Sequence, residues 1–191
     1  KDPYPRSITD FNVPPGAQEI LLEGLFSKAN FLDIFQNFTV YEPMDARIVK
    51  KIPRYQQFRA VHKTMERLKT GETRRDKGGV IWHTQGSGKS LTMVFLTLKM
   101  RRDPVLREYK LVFLTDRTQL DEQLTTTFRN AQGETVRHAG SVKELKDMLA
   151  TNASDIITAM VQKFQENSED FEFPVLNTSD KTKWCQFGTI S

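Results

Sequence analysis

A single cysteine, Cys185, stands in a chain of 191 residues. It excludes an internal disulfide and makes a reduced, cytoplasmic setting the expected one. Long apolar runs are missing too. No stretch approaches the ~20 apolar residues that cross a bilayer, and no charged-then-apolar leader opens the chain at Lys1. Neither a membrane span nor secretion is therefore expected. His62, His83 and His138 are scattered, and none has a Cys, Asp or His partner at metal-ligand spacing. A Gly-x-Ser-x-Gly elbow and a Cys/His nucleophile pair are absent. So are internal repeats and low-complexity tracts. The acidic groups Glu19, Glu23, Glu169, Asp170 and Glu172 fall in segments that read as peripheral and solvated. What remains is a soluble, rather polar chain, with 38% hydrophobic residues and a formal net charge of +4. There is room for one compact domain, or one domain with an appended segment. The mild basic excess is compatible with nucleic acid and does not by itself indicate it.

The most informative stretch is Gly78-Gly79-Val80-Ile81-Trp82-His83-Thr84-Gln85-Gly86-Ser87-Gly88-Lys89-Ser90. It reads as an apolar strand running into a Gly-rich turn that opens an apolar helix. Glycines let the backbone wrap so that its N–H groups converge on anionic oxygens. The helix beginning near Lys89 aims the positive end of its dipole at the same point. In that arrangement Lys89 pairs with β- and γ-phosphates and the Ser90 hydroxyl holds Mg²⁺. The strict pattern begins with Gly where this chain has His83, so the match is incomplete on spacing alone. The alternative is a Gly-Ser turn before an ordinary amphipathic helix. Leu91, Val94, Phe95 and Leu98 give the helix from Lys89 to Arg101 its apolar stripe.

Around this loop the chain reads as follows. Residues 1–16 hold four prolines and Gly16, an extended arm. Short helices are expected over Gln18–Phe26 and after an Asn30 cap, then a strand at Phe38–Tyr41 before a turn at Pro43. Arg54–Leu68 reads as a helix with Tyr55, Phe58, Val61, Met65 and Leu68 on one face and Arg59, Lys63 and Arg67 on the other. Lys69–Lys77 reads as a solvated loop. Lys110–Thr115 has a buried-strand pattern, followed by a helix over Arg117–Phe128. Thr135–His138 suits a short strand, Ser141 with Glu144 a capping box for a helix over Val142–Leu149, and Asp155–Met160 a further strand. No periodicity organises residues 166–191. Strands alternating with helices at these connection lengths predict an α/β fold, a parallel sheet with helices on both faces.

Three further clusters carry polar residues at element ends. In the first, Arg117 and Gln123 follow the Lys110–Thr115 strand, where open α/β sheets place their ligands. Contact with a phosphate backbone and a plain helix start capped by Asp116 are both open there. In the second, Thr158, Gln162 and Lys163 suit sugar-phosphate contacts, or are simply solvated. In the third, Gln57 has the donor and acceptor to meet an adenine edge, or is an ordinary surface glutamine.

Together, in this order, the four clusters resemble the motor (restriction, R) subunit of type I restriction-modification enzymes, a superfamily 2 helicase-like translocase. The resemblance covers about residues 20–165. In that family the loop takes the form His-Thr-x-Gly-Ser-Gly-Lys-[Ser/Thr], so His83 is expected. Gln57 with Phe58-Arg59-Ala60-Val61 matches the adenine-sensing segment. Asp116-Arg117, Leu120 and Gln123 match the motif after the second strand, and Thr158 with Gln162-Lys163-Phe164 the next DNA-contacting motif. Leu22, Gly24, Leu25, Leu32, Asp33, Asn37 and Phe38 resemble the connector between nuclease and motor domains. The resemblance implies a partial RecA-like P-loop domain over residues 51–165, preceded by an arm and short helical connector over 1–50 and followed by an irregular tail over 166–191.

It also implies ATP and Mg²⁺ as cofactors, held by Gln57, Thr84, Gln85, Gly86, Ser87, Gly88, Lys89 and Ser90, with Lys89 and Ser90 catalytic. Arg117, Gln123, Thr158, Gln162 and Lys163 would contact duplex DNA, and modification and specificity subunits would be partners. The complete subunit would use ATP hydrolysis to translocate DNA and would cleave it endonucleolytically. An apolar strand ending in Asp-Glu-x-His should follow Phe164, and this sequence has none. A second motor domain with arginine fingers and an upstream nuclease domain are absent as well. The expectation is a truncated product, or a frame that departs near Asp180, that binds ATP weakly and turns it over negligibly. Two other readings stand beside it: a docking fragment with a vestigial nucleotide site, and another class of P-loop NTPase.

Overall fold

The computed structural model describes residues 16–44, 47–84, 86–115, 125, 128, 136–151, 153–160 and 184–188. Nearly all of the expected arm and most of the expected helix over 117–128 lie outside these.

The chain enters through α1 (Ala17–Leu25) and α2 (Lys28–Asn37). Ser27, not Asn30, takes the cap position of α2. Asn30 is buried instead, and its Nδ2 donates to the Gly24 carbonyl at 2.8 Å. That bond satisfies a carbonyl that the end of α1 leaves without an intrahelical partner. β1 (Val40–Met44) and β2 (Arg47–Lys51) form an antiparallel ribbon, with Pro43 opposite Ile48. The expected turn at Pro43 is thus a strand position. Each strand of a two-stranded ribbon keeps one free edge, toward which a residue lacking an N–H can sit.

Next come α3 (Tyr55–Thr70), the single turn α4 (Arg74–Lys77) and α5 (Lys89–Arg102). The main sheet contains β3 (Lys110–Thr115), β4 (Val136–Ala139), β5 (Ile156–Met160) and β6 (Trp184–Gly188), all parallel, in the order β4-β5-β3-β6. Alternation along the strands makes two cores. Leu111, Phe113 and Ile156 face α3 and α5, where Phe58, Val61, Val94 and Phe95 are buried. Val112, Ile157 and Ala159 face the opposite way and pack with Leu145 and Leu149 of α6 (Val142–Ala150). Helices therefore cover both faces of the sheet, as the strand–helix alternation requires. The Ser141 hydroxyl accepts from the Glu144 N–H at 3.2 Å, and Glu144 in turn accepts from Gly140 at 2.8 Å. At the other end of α6 the buried Lys110 ammonium donates to the carbonyls of Met148, Leu149 and Thr151.

The sheet differs from the expected one in two places. Residues 184–188, in the segment left without regular structure, form β6 along β3. The strand expected before the phosphate loop does not form. Residues 78–84 have no strand assignment, and Val80 and Trp82 are 86% and 88% exposed. The physical reason is a competition of edges. Strand preference is realised only against a neighbouring strand, and β3 is flanked by β5 on one side and β6 on the other.

A charged cluster fastens α2 to α3 and α5. Asp33 of α2 accepts from Lys99 of α5 at 2.6 Å, from Asn37 at 2.6 Å, and lies 2.7 Å from His62 Nε2 of α3. Phe38 closes the group. Its ring sits 4.7 Å from that of Phe58 and 5.4 Å from that of Phe95, with the Lys99 ammonium 5.2 Å from its centre. Burial alone would raise the Asp33 pKa. The hydrogen bonds from His62, Lys99 and Asn37, with the Lys99 charge, outweigh it and hold the carboxyl at about 2. A carboxyl depressed in the folded state stabilises above its ordinary pKa of 3.8, and that contribution is lost as pH falls toward 2. Denaturant midpoints measured at pH 5 and pH 2.5 should therefore fall more steeply in the wild type than in Asp33→Asn. At pH 7 Asp33→Ala should cost about 2–3 kcal/mol, because it strands the half-buried Lys99 charge.

Candidate nucleotide site

The site begins with the burial of α5. Thr92, Val94, Phe95, Leu96, Thr97, Leu98 and Met100 are all buried, so the helix is enclosed on nearly every side rather than along one stripe. Its first residue, Lys89, follows a turn in which Ser87 N donates to the Thr84 carbonyl at 3.2 Å and Ser87 Oγ to the same oxygen at 2.6 Å. Gly86 and Gly88 hold φ of +75° and +84°, the left-handed region that side chains resist. The two glycines thus supply the wrap that the sequence predicts. No side chain caps the start of α5. Its first N–H groups therefore keep the open hydrogen-bonding capacity of a helix N-terminus, with the dipole behind them.

Lys89 and Ser90 are both partly exposed at this end. Among the described residues no hydrogen bond or ion pair holds the Lys89 ammonium or the Ser90 hydroxyl. That is the condition a phosphate and its metal require of them. Among the described residues no group of three His, Cys, Asp or Glu side chains is placed to hold a metal. A divalent ion here would be held by the Ser90 hydroxyl and would serve to neutralise phosphate charge. The residues present fit a Mg²⁺-nucleotide better than a free metal.

Gln57 is where sequence expectation and structure part. Its side chain is buried, 2% exposed, inside the first turn of α3. Nε2 donates to the carbonyls of Gly88 at 3.0 Å and Ser87 at 3.4 Å, and Oε1 accepts from the Arg54 N–H at 2.8 Å. The amide braces the glycine-rich loop from beneath, with its polar edge turned to the loop carbonyls. Sequence patterning offers no signal for this, since the two ends lie 31 positions apart.

Thr158 is fully buried in β5, paired with Phe113 on one side and His138 on the other. Its hydroxyl lies 3.3 Å from His138 Nδ1. It cannot reach a phosphate as placed, which corrects the contact expected of it. Thr84 and Gly86 are exposed, and Ser87 and Gly88 partly so. Gln85, Arg117, Gln123, Gln162 and Lys163 lie outside the described residues. The Asp33–Lys99–His62 cluster was missed by sequence reading, because it is assembled from three helices.

A methyl group on Gly88 would come within 2.7 Å of Gln57 Nε2, whereas one on Gly86 would meet nothing within 4 Å. Gly86→Ala should cost about 1–2 kcal/mol, the strain of the left-handed backbone alone. Gly88→Ala should cost more by the displaced brace. Chemical denaturation of the two variants checks this; equal losses would mean that Gln57 contributes nothing to the loop.

The family model for the SWI2/SNF2 ATPase matches residues 56–183, a span that includes α3, the loop, α5 and β3 to β5. Over 93% of its length the chain is 35% identical to a protein of Methanocaldococcus jannaschii assigned provisionally as the MjaIXP type I restriction enzyme endonuclease subunit. Over 88% of its length it is 33% identical to the HindI type I restriction enzyme endonuclease subunit of Haemophilus influenzae. The chain spans 18% and 17% of these two relatives. Among the described residues no helix is long and apolar enough to cross a membrane.

Proposed function

The chain belongs to the SWI2/SNF2 ATPase family, and from that premise we propose that it is the ATP-binding part of a type I restriction enzyme's DNA-translocating subunit. The observation that carries this reading is the Lys89 ammonium, unengaged among the described residues, beside an uncapped helix start and two left-handed glycines. The triphosphate would lie across the N–H groups of the loop and of α5. Lys89 would neutralise charge on the β- and γ-oxygens, and Ser90 would hold Mg²⁺ against them. The ion, held by Ser90, would supply stabilisation of negative charge during phosphoryl transfer. Gln57 would act through the loop, keeping Ser87 and Gly88 in register with α5. Thr84, Gln85 and Gly86 would form the open side of the cradle.

The wider role is proposed on the relatives' names and on the motifs. The complete protein would translocate duplex DNA at the expense of ATP and cleave it, in the cytoplasm, beside modification and specificity subunits. Arg117, Gln123, Gln162 and Lys163 are proposed as the phosphate contacts of the DNA track. The present sequence contains no Asp-Glu-x-His element and supplies no arginine finger, a group worth about 10³–10⁵ in rate. This piece alone should therefore bind ATP weakly and turn it over negligibly. Titration with a fluorescent ATP analogue should give a saturable curve that Lys89→Ala weakens at least tenfold. Steady hydrolysis by the wild-type chain that Lys89→Ala abolishes would overturn the prediction of inactivity.

One observation favours a second reading, a docking fragment with a vestigial site. Leu22, Phe26, Phe31, Leu32 and Phe35 on α1 and α2 are all 46–67% exposed, and the Phe26 and Phe31 rings stack at 6.0 Å. An apolar patch of this kind on a connector suits contact with another domain or subunit. Superimposable nucleotide titrations for wild type and Lys89→Ala would favour it over the first.

A further inference from the structure

The ribbon pairs Val40–Met44 with Arg47–Lys51, and among the described residues no other strand joins it. In an antiparallel pair, opposed residues alternate between those that exchange both N–H···O bonds and those that exchange none. Pro43 has no N–H, so its pair with Ile48 is of the second kind. Tyr41 with Lys50, the next pair of the same parity, is of that kind too. The backbone groups of these residues therefore point away from the ribbon's centre, and its outer edges are unequal. Along β1 the donor at Pro43 is missing, which blunts that edge. Along β2 Ile48 and Lys50 each present an N–H and a C=O, a complete set for a further strand.

The side chains of β2 are as open as its backbone. Arg47, Ile48, Val49 and Lys50 are exposed, Ile48 by 75%. Ile48 and Lys50 share a face with Tyr41, itself 54% exposed. The charges on β2 are all positive. Glu42 of β1 pairs with Lys51, and Asp45, in the connection, lies outside the described residues. Among the described residues no ion pair engages Arg47 or Lys50.

We propose that the outer edge of β2 is a docking site for an extended acidic segment of another polypeptide, which adds to the ribbon as a third strand. Main-chain hydrogen bonds at Ile48 and Lys50 supply the attachment, and side-chain pairs the selection. Carboxylates of the incoming strand lie opposite Arg47 and Lys50, and its apolar side chains beside Ile48 and Val49. Charge argues against a second copy of this chain as the occupant, because β2 laid on β2 opposes cation to cation. A third strand also suits the ribbon itself, since two strands alone are marginal in water. The edge shares no residue with the proposed nucleotide cradle, so the two bindings are separable.

The test uses the 191-residue chain. The probe is a fluorescein-labelled peptide of about eight residues, alternating glutamate and valine, followed by anisotropy across a salt series. Amide exchange read by NMR reports the geometry. The peptide should slow exchange at Ile48 and Lys50 at least about tenfold and leave Val49, already bonded to β1, little changed. Ile48→Pro removes an outward N–H and no charge, at a kind of position where Pro43 shows the ribbon to admit proline. It is expected to weaken the peptide at least about fivefold at every salt concentration. Lys50→Glu is expected to weaken it several-fold at low salt, the loss shrinking as salt rises. The amide pattern and Lys50→Glu decide the matter even where Ile48→Pro alters the thermal midpoint. Equal binding by the wild type and both variants would overturn the proposal. Unchanged exchange at Ile48 and Lys50 would do the same, as would equal affinity for polyglutamate, which carries the charge without the strand preference. A dimer of the free chain that Ile48→Pro dissolves would also overturn it and assign the edge to a second copy. The nucleotide titration of Lys89→Ala is scored independently, so failure of one reading leaves the other standing.

Discussion

Helix α5 has almost no solvent face, and that constraint places everything near the loop. A helix buried on one stripe can slide or tilt against its support. One packed against α3 on one side and the sheet on another has a fixed axis and a fixed first turn. Phe95 sits in this packing with Phe38 and Phe58, so the end of α2, α3 and α5 share one aromatic cluster. The position of the N-terminus of α5 is thus a property of the core. The N–H groups there can be left open because packing, and not a cap, sets where the helix begins.

Gln57 extends that fixity into the loop. A glutamine amide has two donor hydrogens, and both face loop carbonyls here, while its oxygen accepts from Arg54. A buried amide with unmet capacity would cost about 1–3 kcal/mol. The same geometry requires glycine at position 88, because Nε2 occupies the space that a Cβ would take. The resemblance expects Gln57 to face a base; the structure packs its amide against the carbonyls of the loop. Were it to read a base directly, it would first release the Ser87 and Gly88 carbonyls, the second of which also accepts from Thr92.

The fold was legible wherever a segment carried its own period. β3 falls at Lys110–Thr115 as its unbroken apolar run demands, and the capped start of α6 follows from Ser141 and Glu144. Legibility failed where a residue's role depends on a distant partner. Asn30 has the chemistry of a cap and serves one, but for the end of the preceding helix. Thr158 looks available on spacing and is enclosed by the neighbouring strands. The α5 stripe seemed one-sided because Thr92 and Thr97 count as polar, although both hydroxyls donate back along the helix, to Gly88 and Met93. Threonines that satisfy themselves in this way can face a core.

The segment before the loop is anchored differently from the helix that follows it. Gly79–His83 has strand composition, yet it lies outside the sheet, so the loop's two walls are anchored unequally. Downstream, α5 is locked by burial. Upstream, among the described residues, the links include the Ser87–Thr84 turn and the Arg67 side chain lying against Gly79. That asymmetry has its origin in strand pairing, because β5 and β6 occupy the two edges of β3 that the Val80–Trp82 segment could have joined.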